Sequence, residues 1–147
     1  MEQIAPKSLQ EGQVFKLGSV TFSEQDIIEF AKQYDPLPFH TDVEAAQKSH
    51  FKGLVASGPH PFFVLHKREW IPRFGHSVLA GISLTDWTFH QPVYAHQTIR
   101  LEVEVAGLKI NSEKGHVVIT WIYRFLHENK ELAQDFKMSI LHRWIWP

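Results

Sequence analysis

A carboxylate and an imidazole lie five residues apart in the segment Tyr34-Asp35-Pro36-Leu37-Pro38-Phe39-His40. Proline fixes φ at about −65° and pushes the residue before it toward extended backbone, so the two prolines end any preceding helix and stiffen the turn. A carboxylate and a neutral imidazole that converge on one water molecule can remove a proton from it and return a proton elsewhere. Asp35 and His40 are therefore a candidate acid/base pair.

The same two side chains also have an ordinary structural interpretation. Polar residues in turns commonly satisfy nearby backbone groups, and spacing alone favours that role for Asp35 and His40. The rest of the chain has to decide between the two interpretations.

The elements around this turn are predicted from local signals. Ser23 can cap a helix, with Asp26 as the acidic partner of a capping box, and apolar residues then repeat at helical spacing. These signals predict a helix over Glu24–Tyr34 that delivers Asp35 at its end. A second short helix is expected through Val43 to about Lys48, capped by Thr41 or Asp42.

A longer, strongly apolar helix is predicted after Ser57-Gly58. Pro59 or Pro61 suits its first turn, and Pro72 is expected to stop it. Its first half is apolar on every side and its second half is polar at 66–69, so the helix should start buried and then emerge. A helix of this kind calls for a sheet to wrap it.

From Val78 onward the period of the pattern changes from helical to two, which is typical of strands. Glu128-Asn129-Lys130 is the expected hairpin between the last two strands. The segment Gln13–Thr21 is a short strand pair or an extended lead-in. Helices early and strands late indicate an α+β domain with a curled antiparallel sheet. Three apolar stripes define the strands: Ile99, Leu101, Val103 and Val105; Val117, Ile119, Trp121, Tyr123 and Phe125; Phe136, Met138 and Ile140.

The turn resembles the hydratase motif D-x-N-P-x-H of the MaoC-like (R)-specific enoyl-CoA hydratases, which carry a small residue six positions after the His. Leu37 occupies the position of the family's Asn. The segment Phe51–Gly58 is similar to the Phe- and Gly-containing segment that leads into the family's central helix, and the likeness runs from about Val14 to about Arg143. The residues that match the motif are Asp35, Pro38, His40 and Ala46.

The resemblance implies a hotdog fold and the reversible hydration of a trans-2-enoyl thioester to an (R)-3-hydroxyacyl thioester. Asp35 and His40 would hold the water, one as base and the other supplying the proton to Cα. Donors for the thioester oxygen would lie at Ser57 and Gly58, where a helix N-terminus presents free N–H groups, and the Ser57 hydroxyl is a further donor. Gly53 belongs to the same substrate-binding segment, and the acyl chain would lie near Phe62.

Two other functions remain open. Leu37 in place of Asn favours a non-catalytic hotdog protein that binds an acyl thioester or serves as a subunit of a complex. A hotdog acyl-CoA thioesterase is the third interpretation, with a carboxylate and a helix N-terminus hydrolysing the thioester.

Composition excludes several classes. Lys plus Arg total 15 against 16 for Asp plus Glu, a formal net charge of −1 that disfavours nucleic acid binding. There is no cysteine, and the histidines lack the spacing of a metal site. No long apolar run predicts a membrane span. We expect one domain over 1–147, cytoplasmic, with no cofactor beyond the coenzyme A of its substrate and, by resemblance, a homodimer or higher homo-oligomer.

The C-terminal segment Arg143-Trp144-Ile145-Trp146-Pro147 is unusually apolar for a tail. Two tryptophans and an isoleucine are expected to cover something. They pack on their own domain or form a contact between subunits.

Overall fold

One five-stranded antiparallel sheet, curled over a long helix, makes up most of the structure. The computed structural model describes residues 2–144. In those residues no helix is long and apolar enough to cross a membrane. The strands are β1 (Val14–Thr21), β2 (Val78–Phe89), β3 (Thr98–Asn111), β4 (His116–His127) and β5 (Leu132–Arg143), in the order β1-β3-β4-β5-β2.

The meander of β3, β4 and β5 follows the predicted alternation. The inward residues of all three strands are buried, except Met138, which is partly buried. The alternate residues of β3 are exposed or partly exposed. The hairpin between β4 and β5 is confirmed, and its Lys130 adopts a positive φ of 71°. Between Gln13 and Thr21 the chain forms the single edge strand β1, which pairs with β3 and is interrupted by a bulge between Lys16 and Ser19.

The early helices are where the sequence places them. Helix α1 spans Glu24–Tyr34, and Ser23 and Asp26 form the capping box, each side chain accepting a hydrogen bond from the other's backbone N–H. Helix α3 spans Val43–Lys48 and is capped by the Asp42 side chain. A one-turn helix, α2 (Pro38–Thr41), lies between them and was not predicted. It begins at Pro38 because proline suits a first helical turn.

The central helix, α4, runs further than expected. It consists of an α-helical part (His60–Leu65), a π-helical turn (His66–Trp70) and a final α-helical turn (Ile71–Phe74). The prediction that Pro72 stops it was wrong. Pro72 lies in the first turn of the final segment, where a missing N–H costs little because the π turn has already shifted the hydrogen-bond pattern.

The burial of α4 also differs from expectation. The helix does not start buried and emerge, since Phe63 near its start is 54% exposed while Trp70 and Phe74 near its end are buried. One face is buried along the whole length. The Trp70 and Phe74 rings pack against Trp121 of β4, with centroids 5.3 and 4.7 Å away, respectively.

A buried hydrogen-bond network joins the end of α4 to the sheet. The Trp121 indole N–H donates to Nε2 of His142 at 3.3 Å, which leaves the other ring nitrogen of the neutral imidazole to carry the proton. Nδ1–H of His142 then donates to the Ser77 hydroxyl at 2.8 Å. The network fixes the helix on the sheet at the end opposite the predicted site.

Only part of the C-terminal tail falls within the described residues. Trp144 is partly buried against the core of its own chain, and its backbone N–H donates to the Gly115 carbonyl. Trp144 therefore packs on its own domain. The expectation for Ile145 and Trp146 concerns residues outside the described range.

The buried histidines predict loss of stability in acid. Burial lowers the pKa of His60, His66 and His142 from 6.5 to about 4. Each binds a proton more weakly when folded than when unfolded, so the free energy of unfolding should be highest above about pH 6.5 and fall as the pH approaches about 4. Urea denaturation at a series of pH values measures this.

His60→Phe is the matched variant. Phe keeps the stack in which His60 lies between Phe22 and Phe30, and it removes the buried Nδ1, which has no hydrogen-bond partner among the described residues. We expect a shallower pH dependence and an unfolding free energy at neutral pH that is unchanged or higher by about 1 kcal/mol. A pH dependence as steep as that of the wild type would contradict the assignment.

Candidate active site

Asp35 and His40 converge although they belong to different elements. Asp35 follows α1, and its backbone N–H donates to the Ala31 carbonyl at 2.8 Å. His40 lies within α2, and its backbone N–H donates to the Leu37 carbonyl at 2.9 Å. Asp35 leaves helical geometry, with φ −160° and ψ 65°, and three residues later α2 begins at Pro38. Oδ2 of Asp35 and Nε2 of His40 are 3.4 Å apart.

The buried imidazole of His40 is held in one tautomer. Its Nδ1 lies 2.6 Å from the Val55 carbonyl oxygen, which can only accept, so Nδ1 carries the proton. In the neutral ring Nε2 then presents a lone pair toward Asp35. A carboxylate oxygen and an unprotonated nitrogen cannot bond to each other, but a single water molecule can donate one hydrogen to each. The pair is arranged to hold such a water.

Ser57 orients the carboxylate. Its side chain is fully buried, and its hydroxyl donates to Oδ2 of Asp35 at 2.6 Å. The sequence predicted the Ser57 hydroxyl as a donor for substrate. In this structure its proton is used by Asp35, so the hydroxyl links the end of α1 to the start of α4.

The backbone at Ser57 and Gly58 leaves donors free. Within residues 2–144 neither N–H makes a hydrogen bond to protein, whereas the Ser57 carbonyl accepts from the His60 N–H at 3.0 Å. That bond fixes the Ser57–Gly58 peptide plane and turns the Gly58 N–H away from the helix. A Cβ at position 58 would lie only 2.6 Å from the Phe89 ring, so glycine fits here without moving Phe89.

A cavity of about 470 Å³ opens beside these groups, within the size range of small-molecule sites. The structure thus brings together four of the six predicted site residues: Asp35, His40, Ser57 and Gly58. Apolar side chains, including phenylalanines and prolines, form most of the remaining wall. The cavity is lined by Asp35, Phe39, His40, Phe51, Val55, Ala56, Ser57, Gly58, Pro59, Phe89, His90, Gln91, Pro92, Val93 and Gln134.

Gly53 and Phe62 are not part of that lining. Gly53 lies against the Tyr94 ring, 3.4 Å from where a Cβ would be. Phe62 packs edge-on to the Trp87, Tyr123 and Phe136 rings, with centroids 5.7, 5.8 and 5.0 Å away. Those rings fill the space behind the start of α4.

Several lining residues were missed from the sequence. Phe89 ends β2 and Gln134 lies in β5, both distant in sequence from the Asp35 turn. Only the pairing of β2 with β5, which sets Phe89 opposite Gln134, brings them to the cavity. No local motif marks either residue.

Leu37, the residue at which the motif departs from the family pattern, is held by its backbone and not by its side chain. Leu37 is 45% exposed, and its backbone makes the contacts: its N–H donates to the Asp35 carbonyl and its carbonyl accepts from the Thr41 hydroxyl at 3.1 Å. The turn keeps its shape although Leu37 has no polar side chain. In the described part of the chain no three His, Asp or Glu side chains are grouped as metal ligands.

Comparison with known proteins identifies the family. The model of the MaoC-like domain matches residues 7–124, and the chain belongs to this family of dehydratases. It is 38% identical over 96 residues to the uncharacterized protein YdeM of Bacillus subtilis, an alignment that covers 64% of this chain and 67% of YdeM.

Solved structures share the fold. A structure described as a monoamine oxidase regulatory protein from "Archaeoglobus fulgius" is 27% identical and superposes with a TM-score of 0.85 over 99% of this chain and 98% of that one. The R-hydratase PhaJ1 of Pseudomonas aeruginosa is 20% identical with a TM-score of 0.76, covering 95% and 86%. The expected hotdog fold is confirmed.

The geometry predicts the tautomer of His40 in solution. Nitrogen-15 NMR should show that the neutral imidazole carries its proton on Nδ1, because the Val55 carbonyl needs a donor. His50, whose side chain is exposed, is the reference in the same spectrum. A ring with its proton on Nε2 would remove the water-binding geometry.

Proposed function

We propose that this protein catalyses the reversible addition of water to a trans-2-enoyl thioester, with His40 as the base. The observation that supports this is the site itself: a His40 imidazole bound through Nδ1 to the Val55 carbonyl, and a serine-oriented carboxylate 3.4 Å from its Nε2, beside an apolar cavity. Family membership supports dehydratase chemistry of this general kind.

The proton transfers balance with one water and one imidazole. Nε2 of His40 takes a proton from the water as the hydroxyl adds to Cβ, and the resulting imidazolium is stabilised by the adjacent Asp35 carboxylate. The imidazolium then returns that proton to Cα. Both atoms arrive from the same side of the alkene, as a syn addition requires.

The thioester oxygen gains negative charge as the hydroxyl adds. The Gly58 N–H lies just before α4 and has no acceptor within residues 2–144. It is the donor we propose for the thioester oxygen, with the Ser57 N–H beside it. The aromatic walls of the cavity suit an acyl chain better than a sugar or a phosphate ester. The coenzyme A part of the substrate would extend outward.

An assay with a short trans-2-enoyl-CoA tests the proposal. Loss of the enoyl absorbance without release of free thiol is the expected result. Asp35→Asn and His40→Ala should each lower kcat by ~100-fold or more, because each removes a group that handles the water. Asp42→Asn is the control, since Asp42 is exposed and only caps α3.

The other outcomes separate the alternatives. Release of thiol without hydration would replace the proposal with a thioesterase. Binding of enoyl-CoA with neither reaction would indicate a non-catalytic acyl-thioester protein. Full activity in Asp35→Asn would remove the carboxylate from the mechanism.

We also propose that the protein works as a homodimer joined through β2. This strand lies at the edge of the sheet and is exposed along nearly its whole length, which is unusual for a strand rich in apolar residues. Its end residue Phe89 lines the cavity, so a second copy paired here would lie next to the site. The exposed apolar residues of β2 are Val78, Leu79, Ile82, Leu84 and Phe89.

Ile82→Lys tests this interface. A charge in the middle of β2 should convert a dimer to a monomer in analytical ultracentrifugation, because a buried unpaired ammonium is costly. Ile110→Lys is the matched control, since Ile110 is similarly exposed (49% against 55%) but lies on β3. A wild-type monomer, or a dimer unaffected by Ile82→Lys, would contradict the proposed interface.

A further inference from the structure

Gln134 is a buried polar side chain with a defined arrangement at the back of the cavity. It is 2% exposed and lies on β5, opposite Phe89 of β2. Its amide bridges two groups that are far apart in sequence, the indole of Trp87 and the carbonyl of Gly58.

The chemistry of the partners fixes the orientation of the amide. The Trp87 indole N–H can only donate, so Oε1 of Gln134 must face it, at 3.0 Å. The NH₂ group then faces the other way and donates to the Gly58 carbonyl oxygen at 2.9 Å. Trp87 thereby sets which end of the glutamine reaches Gly58.

Gly58 is the residue of the site with the greatest need of such an anchor. Glycine has no Cβ to restrict its φ and ψ, so fixing its backbone costs more conformational entropy than fixing that of other residues. The peptide plane before it is held by the bond from the His60 N–H to the Ser57 carbonyl. The plane after it leads to Pro59, which has no N–H, so the Gly58 carbonyl is the group through which that plane is held.

We propose that Gln134 is a positioning residue. The bond from the His60 N–H fixes the Ser57–Gly58 peptide plane relative to the helix, and the bond from Gln134 to the Gly58 carbonyl anchors the whole turn, with its Gly58 N–H, to β5 beside the cavity. The inference rests on the proposed function for its catalytic consequence. It assigns to β5, a strand distant in sequence from the Asp35 turn, the alignment of the donor that meets the thioester oxygen.

A simpler role for Gln134 is to satisfy the Trp87 indole. The fold itself argues that this need is not sufficient. The indole Nε1 of Trp70 is buried and has no hydrogen-bond partner in the described structure, so this protein already tolerates one unpaired indole N–H. The bond from Gln134 to Gly58 is therefore the more informative half of the bridge.

Gln134→Met removes both hydrogen bonds at similar volume. We expect kcat to fall by ~10-fold or more while KM changes little, because the oxyanion forms only as the reaction proceeds. Gln97→Met is the matched control: the Gln97 side chain also holds a backbone group, the Tyr94 N–H at 2.9 Å, but is outside the cavity lining.

Gln134→Glu separates positioning from a merely structural effect. A carboxylate can accept from Trp87 but cannot donate to the Gly58 carbonyl, whereas a protonated carboxyl can do both. Its kcat, relative to wild type at each pH, should be low at neutral pH and recover as the pH falls. A ratio that stays low across the whole pH range would contradict the proposal, because the protonated carboxyl can donate to the Gly58 carbonyl.

The mobility of the Gly58 amide, measured by ¹⁵N relaxation, provides a readout independent of turnover. The Gly58 amide should be rigid in the wild type and in Gln97→Met, and more mobile in Gln134→Met. Equal rigidity in all three would overturn the anchoring, whatever the activity. If the wild type lacks hydratase activity, the proposed function fails, and the relaxation data still decide whether Gln134 anchors Gly58.

Discussion

The hydrogen bond from the Ser57 hydroxyl to Oδ2 of Asp35 is the contact on which the site depends. It joins the end of α1 to the turn before α4. The two bonded residues are 22 positions apart in the sequence. Because both groups are at the ends of regular elements, each is positioned by a helix that is itself held against the sheet. The bond is short and its donor is fully buried, so it orients the carboxylate toward His40 with little freedom.

The two ends of α4 are held in different ways. At its far end, aromatic packing and the network of Ser77, His142 and Trp121 hold the helix on the sheet. At its near end there is a polar turn with free N–H groups and a glycine. A helix that packs on the sheet along its whole length is a suitable support for a donor site at its start, because the packing uses side chains and leaves the backbone of the turn available.

Much of the fold is readable from the sequence where its causes are local. The capping box of Ser23 and Asp26 and the alternation from Ile99 to Val105 each fix an element by short-range chemistry, and both are present. The prediction that Pro72 ends α4 was wrong because a π turn inside the helix changed which backbone N–H the helix could lose. That rearrangement depends on packing against β4, which no local signal records.

The candidate site divides in the same way. The motif and the helix start predict that Asp35, His40, Ser57 and Gly58 lie together, and they do. Phe62 was predicted to lie beside the acyl chain because it belongs to the apolar start of α4, but the first turn of α4 rotates it into the rings of the core. Gln134 and Phe89 reach the cavity only through the register of β2 on β5, which depends on strand pairing across 45 residues.

The bond from His40 to the Val55 carbonyl has a stereochemical consequence. An imidazole tied at one nitrogen cannot turn its ring over, so its free lone pair always points to the same side of the cavity. In the proposed reaction, an alkene held in one orientation by the cavity would meet this lone pair on only one of its two faces. In the proposed reaction the handedness of the new alcohol would thus be set by a single main-chain oxygen, before any substrate enters.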